Sequence, residues 1–149
     1  MAKIELHPDF KEFLKLLNSY NARYLLVGGY AVGYHGYPRA TGDMDIWIEM
    51  SESNSIKVAS AFRDFGMPDE MVSEDLFLEK NKVIRMGVPP VRLEVITSAS
   101  GVDFNDCYPN REVVEIGDIP INLISLQDLK KNKRAAGRHK DLEDIEHLP

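Results

Sequence analysis

Two aspartates stand two positions apart in the run Asp43-Met44-Asp45-Ile46-Trp47-Ile48-Glu49-Met50. Met44, Ile46, Ile48 and Met50 alternate there with Asp43, Asp45, Trp47 and Glu49, the period-two pattern of a half-buried strand. On a strand the two carboxylates share a face, with Cα atoms about 6.5–7 Å apart. Carboxylates held that close repel each other unless a cation lies between them. Mg²⁺ suits hard oxygen ligands and leaves sites for water and substrate phosphates. Two such ions about 3.5–4 Å apart can activate an attacking oxygen and steady a leaving one. The simpler reading is a strand with a polar outer face, since Asp-x-Asp is a common pair. Aspartate is disfavoured in strands, however, and here two open one strand on the face opposite a wholly apolar one.

Upstream, Gly28-Gly29 separates the apolar stretch Tyr24–Val27 from a helix expected to begin at Tyr30. Glycine lets a backbone approach a ligand without a Cβ in the way. A helix start also offers free N–H groups to an anion such as a triphosphate. The alternative is a plain strand-to-helix turn. Gly28, Gly29, Gly33 and Gly36 do not spell a dinucleotide fingerprint, and no Gly-Lys-Ser/Thr follows to make a Walker A loop. Downstream, Val91-Arg92-Leu93-Glu94-Val95 places Arg92 and Glu94 on one face of a second strand. They read either as an exposed ion pair, worth little in stability, or as a further acid beside the aspartates. A third cluster, Lys130, Lys131, Lys133, Arg134, Arg138 and Lys140, is the densest cationic stretch of the chain. Lys130, Arg134 and Arg138 fall at steps of four and form one stripe if a helix continues through Gly137.

Positioning these groups takes alternating helices and strands. Phe10, Phe13, Leu14 and Leu17 predict a helix from about Asp9, its cap, to Asn18. Tyr24–Val27 and the aspartate strand are separated by a loop over Tyr34–Gly42, which holds Gly36, Pro38 and Gly42. Ser53–Phe65 reads as an amphipathic helix with Ile56, Val58, Ala59, Ala61 and Phe62 as its apolar positions. Leu76–Met86 and Val91–Ile96 are strand candidates separated by Gly87 and Pro89-Pro90. Val113–Ile116 and Ile119–Ile124 flank a Gly117-Asp118 turn. Helical segments Leu126–Ala136 and Arg138–Leu148 close the chain. The expected class is α/β, a small mixed sheet with helices packed against it, in a single domain over 1–149 with C-terminal helices at about 125–148.

The order and spacing of Val27-Gly28-Gly29-Tyr30-Ala31, then His35-Gly36, then Arg39-Ala40-Thr41-Gly42-Asp43-Met44-Asp45-Ile46 resembles the nucleotidyltransferase superfamily. More narrowly, it is similar to bacterial nucleotidyltransferase-like proteins grouped with the AbiEii-type abortive-infection toxins. Their pattern is Gly-Gly at a helix start followed by Arg-x-Thr-x-Asp-x-Asp. Ile124–Leu129 and Lys133–Leu142 also look like the end of that family, whereas Ser53–Pro90 matches only in general pattern. The resemblance implies a nucleotidyltransferase-like fold, Mg²⁺ at Asp43 and Asp45, and transfer of a nucleoside monophosphate from a nucleoside triphosphate. It implies Glu94 as a third acid, binding metal or accepting the proton of the attacking hydroxyl. Gly28, Gly29, Tyr30, Arg39, Thr41, Lys133 and Arg138 are the implied nucleotide and phosphate contacts, with Asp141 and Asp144 orienting the cations. Tyr30 departs from the serine that many members carry after Gly-Gly.

Composition narrows the classes. The net charge of -6 argues against a general nucleic-acid coating protein, whose affinity would come from counterion release. No apolar run approaches the roughly 18–20 residues of a membrane span, and Met1–Glu5 carry no apolar signal region. A cytoplasmic location without membrane partners is therefore expected. The single cysteine, Cys107, forms no Cys-x-x-Cys signature. The histidines lack zinc spacing, and no Gly-x-Ser-x-Gly elbow appears. Two functions remain. One is a Mg²⁺-dependent nucleotidyltransferase, toxin-like in type, whose acceptor is an RNA end, a protein hydroxyl or a small molecule. The other is a non-catalytic module that binds a nucleotide or a partner protein.

Overall fold

The computed structural model describes residues 6–88 and 91–149. The first helix, α1 (Pro8–Ser19), is followed by β1 (Tyr24–Val27), α2 (Gly28–Tyr34), β2 (Asp43–Ile48) and α3 (Glu52–Asp64). After two short 3-10 turns come β3 (Val83–Val88), β4 (Val91–Ile96), α4 (Phe104–Cys107), β5 (Glu112–Ile116) and β6 (Ile119–Leu123). The helices α5 (Leu126–Ala136) and α6 (His139–His147) end the chain.

The six strands form one mixed sheet in the order β3-β4-β2-β1-β6-β5. β2 lies inside it, antiparallel to β1 and parallel to β4. The register fixes the faces. Met44, Ile46, Leu26, Leu93, Val95 and Leu123 share one face through the pairs Leu26↔Ile46, Met44↔Leu93, Ile46↔Val95 and Leu26↔Leu123. All six are buried. α1 contacts β4, β6 and α3, and Phe13 of α1 meets Phe62 of α3 edge to face at 5.4 Å. This apolar face is what anchors β2, so its other face is free to carry charge.

Several boundaries differ from the sequence expectation. The cap of α1 is His7, whose Nδ1 accepts from the Asp9 amide, with Pro8 at the first helical position. In α3, capped by Ser51, Ile56 is 52% exposed while Asn54 is buried. The Asn54 side chain accepts from the Arg23 amide and donates to the carbonyls of Arg23 and Glu49. A polar residue with three backbone partners can occupy a buried site that hydrophobicity assigns to its neighbour. Leu76 and Phe77 lie in a 3-10 turn rather than a strand, so β3 begins at Val83 and runs beyond Met86 to Val88. The expected turn residues Pro89 and Pro90 lie outside the described residues. The cationic stripe through Gly137 does not form. Gly137 takes φ 65 in the left-handed region and ends α5, its N–H bonding the Lys133 carbonyl.

Candidate active site

Asp43 and Asp45 project from the second face of β2, and the register sets Asp45 opposite Val27 of β1 and Glu94 of β4. Gly28 follows Val27 directly. Its φ is +69, and a Cβ there would lie 2.2 Å from Asp45 Oδ2. Glycine is therefore required twice at this position, by conformation and by the carboxylate pressed against it. A Cβ on Gly29 would lie 2.4 Å from Thr41 Oγ1 and 3.5 Å from an Arg39 guanidinium nitrogen. The two glycines thus form a floor under Asp45, Thr41 and Arg39.

These residues line one cleft of about 650 Å³. Gly28, Gly29, Arg39 and Thr41 border Asp45, Glu94 stands opposite Asp45 across the β2–β4 register, and Ser98, Ala99 and Ser100, which follow the end of β4, line the same cleft with Asn132. Lys133 and Arg138 line it too, about a hundred positions later in sequence. Tyr30 is not brought to the cleft. Its ring packs edge to face on Phe10 at 5.8 Å, and burial raises its hydroxyl pKa above the usual tyrosine value. His35 is structural, its Nε2 2.7 Å from the Ile124 carbonyl oxygen.

The acids sit in a strained electrostatic setting. Burial, then the neighbouring Glu94 charge and hydrogen bond, then Asp43, push Asp45 up to about 7, with Lys133 pulling the other way. Arg92, which the sequence offers as half of an exposed pair with Glu94, and Arg85, which it does not single out, balance the remaining acids. Arg92 donates to Asp43 at 2.7 Å and Arg85 to Glu94 at 2.9 Å. Arg92 lies 3.6 Å from Glu94, so its closer partner is Asp43 rather than its strand neighbour. With side chains so arranged, no group of three metal-binding residues forms among the described residues. The donors nonetheless suit a hard cation in kind: carboxylate oxygens on adjacent strands, two of them in mutual contact. Asp45 and Glu94 could hold Mg²⁺ directly, and Asp43 could do so on parting from Arg92.

The cations have their own scaffold. Lys133, 4% exposed, bridges Asp141 at 3.2 Å and Asp144 at 3.1 Å. Arg39 grips Asp144 with two hydrogen bonds of 2.7 and 2.8 Å. Arg138 bonds Asp141 at 2.7 Å while its side chain stays 72% exposed. Burial disfavours the ionised Asp141 and Asp144. Hydrogen bonds from Arg138 and Lys133 to the first, and from Arg39 and Lys133 to the second, more than offset it, and both pKa values fall below the ordinary aspartate value. Three cations thus share two anions beside the acids. Elsewhere in the basic stretch, Lys140 also lines the cleft, whereas Lys130 turns to the Pro149 carbonyl and Lys131 lines a separate cavity with Cys107 and Asp128.

No family model matches the sequence, and no curated protein matches it. Among solved structures, the fold is similar to that of a Thermotoga maritima protein, TM1012, provisionally named a nucleotidyltransferase. The TM-score is 0.61 at 15% identity, over 97% of this chain and 94% of that one. The chain accordingly has an α/β, nucleotidyltransferase-like fold built on a mixed sheet. Among the described residues, no helix is long and apolar enough to cross a membrane.

Proposed function

We propose that this protein is a Mg²⁺-dependent nucleotidyltransferase that moves a nucleoside monophosphate from a nucleoside triphosphate to an acceptor hydroxyl. The observation that carries the reading is a single cleft lined by three carboxylates, Asp43, Asp45 and Glu94, by the Gly28-Gly29 floor and by Arg39, Lys133 and Arg138. The triphosphate tail lies toward Gly28 and Gly29, where Arg39, Lys133 and Arg138 neutralise charge as pyrophosphate leaves. Thr41 supplies a hydroxyl there too. Asp45, Glu94 and Asp43 would hold Mg²⁺, which would supply Lewis-acid activation of the reacting phosphate and of the attacking hydroxyl. Glu94 is also placed to take the proton of that hydroxyl. The narrower kinship with abortive-infection toxins rests on the sequence pattern alone, and favours RNA or protein as acceptor over a small molecule.

One observation favours the second reading, a non-catalytic nucleotide- or partner-binding module: Arg92 and Arg85 already pair with Asp43 and Glu94. Binding of nucleoside triphosphates with and without Mg²⁺, followed by pyrophosphate release in the presence of total RNA or protein, separates the two. Transfer predicts Mg²⁺-dependent release, and Asp43→Ala or Asp45→Ala should lower it by roughly 10²–10⁴ while the protein stays folded. Nucleotide binding without release selects the binding module. Absence of nucleotide binding rejects a nucleotide role in either form.

A further inference from the structure

Beyond the carboxylates, the second face of β2 continues to Trp47, two residues on from Asp45 and about 6.5–7 Å away. Trp47 is 1% exposed. It lines a second cavity, of about 220 Å³, together with Thr97, Val102, Phe104 and Asn105. Ser98 and Ala99 line both this cavity and the main cleft, so the two spaces adjoin. The segment after them is tied to α5: Asn132 donates to the Ser100 carbonyl at 3.0 Å, and Gly101 packs against Ala135 with no room for a Cβ. The Trp47 ring meets Phe104 edge to face at 5.2 Å. Its Nε1 is buried and has no hydrogen-bond partner among the described residues. Such an N–H can only donate, and burying it unpaired carries a cost that strand packing alone does not require.

We propose that this cavity receives the base of the bound nucleotide. The inference rests on the nucleotide reading above. With the β- and γ-phosphates at Gly28-Gly29 and the reacting phosphate at the carboxylates, the nucleoside extends toward Ser98–Ser100, which follow β4 past Glu94 and line the same cleft. The base, one sugar further, then meets a cavity that Trp47 and Phe104 line together with Glu49, Asp103 and Lys80. A base offers what fits there, a flat apolar face and ring-nitrogen or carbonyl acceptors for the Trp47 N–H. Because Nε1 is shielded from solvent, the bond forms when a side chain of the cavity wall turns aside.

Trp47 is the sole tryptophan, so its fluorescence reports on this cavity in the unaltered protein. Each of the four nucleoside triphosphates and inorganic tripolyphosphate are titrated with Mg²⁺, following both affinity and emission. A triphosphate with the preferred base should change the emission, and tripolyphosphate should bind without changing it. Trp47→Phe keeps a ring against Phe104 and removes the N–H. It should weaken the preferred nucleotide about tenfold, level the preference among bases, and leave tripolyphosphate affinity as it was. Nucleotides that bind with unaltered emission, or with the same change that tripolyphosphate causes, overturn the base assignment and leave the nucleotide reading standing. So does an emission change produced by an acceptor and not by nucleotides. If neither nucleotide nor tripolyphosphate binds, the nucleotide reading falls and this inference with it. Should Trp47→Phe fail to fold, the emission of the unaltered protein decides alone.

Discussion

Asp45 concentrates the tension of the site. It is a half-buried acid touching Glu94, with Gly28 packed so close that no Cβ fits between Gly28 and the Asp45 carboxylate. Its folded pKa is raised, so the folded state holds this proton over a pH range where the unfolded chain has released it. Stability from this residue therefore falls as pH rises from about 4 to about 7, and the penalty is complete above that. Asp45→Asn removes the penalty. The variant should melt above the wild type at pH 8, with the difference shrinking toward pH 5. Millimolar Mg²⁺ should narrow it by stabilising the wild type alone, and equal melting temperatures across this range would contradict the burial argument. Gly28→Ala tests the same contact from the other side. Its Cβ would displace the Asp45 carboxylate and strain a backbone at φ +69, costing about 1–3 kcal/mol of stability and most metal-dependent nucleotide binding. Ordinary binding by this variant would show that Asp45 need not stay where it is.

At the scale of elements, α5 and α6 act as a mount for cations rather than as a solvated basic stripe. Gly137 ends α5, and Arg138 enters α6 with its guanidinium and backbone N–H both on Asp141. Asp144, on the next turn, holds Arg39 from the loop before β2 and Lys133 from α5. Removing Asp144 would leave those two cations without their shared anion. Asp144→Ala should therefore lose about 3–5 kcal/mol in chemical denaturation and weaken triphosphate binding through Arg39. Lys133→Ala would mix folding and binding effects, since Lys133 is buried in the same network. Arg138 is the cleaner probe because its side chain is largely exposed. Arg138→Ala should keep the melting temperature within a few degrees and raise the dissociation constant for a triphosphate more than for the nucleoside. A loss equal for both ligands would assign Arg138 a purely structural role.

Across the whole molecule, the balance of -6 conceals a local concentration of cations. Arg39, Lys133, Arg138 and Lys140 all line the cleft, where a polyanion is attracted to cations fixed on three separate segments of chain. Exposed charges are screened over roughly 8–10 Å at physiological ionic strength. Tripolyphosphate affinity should therefore fall as salt rises from 50 to 500 mM, and titration calorimetry along that series measures the slope. A flat series would mean that contacts at the half-buried carboxylates, rather than the cations, carry the binding.

The sequence by itself determined the strand of Asp43 and Asp45, its apolar opposite face and the glycine break before it, because each is a local pattern: period two, a β-to-helix turn, a residue without a Cβ. Tyr24–Val27, Val91–Ile96 and Leu126–Ala136 were legible with their bounds for the same reason. Glu94 could be singled out from its alternation with Leu93 and Val95, but only the parallel register of β2 and β4 set it against Asp45. What sequence reasoning missed were partners far apart in the chain. Arg92 with Asp43 spans 49 positions and Arg39 with Asp144 spans 105, distances at which spacing carries no directional information. Arg85 was hidden inside an overlong strand assignment. Tyr30 looked inward to Phe10 because a helix face is chosen by what packs on it, and Trp47, on the polar side by alternation, was buried by a residue from α4. Charge pairing and packing across segments are properties of the assembled fold, and they decide which of the legible residues meet.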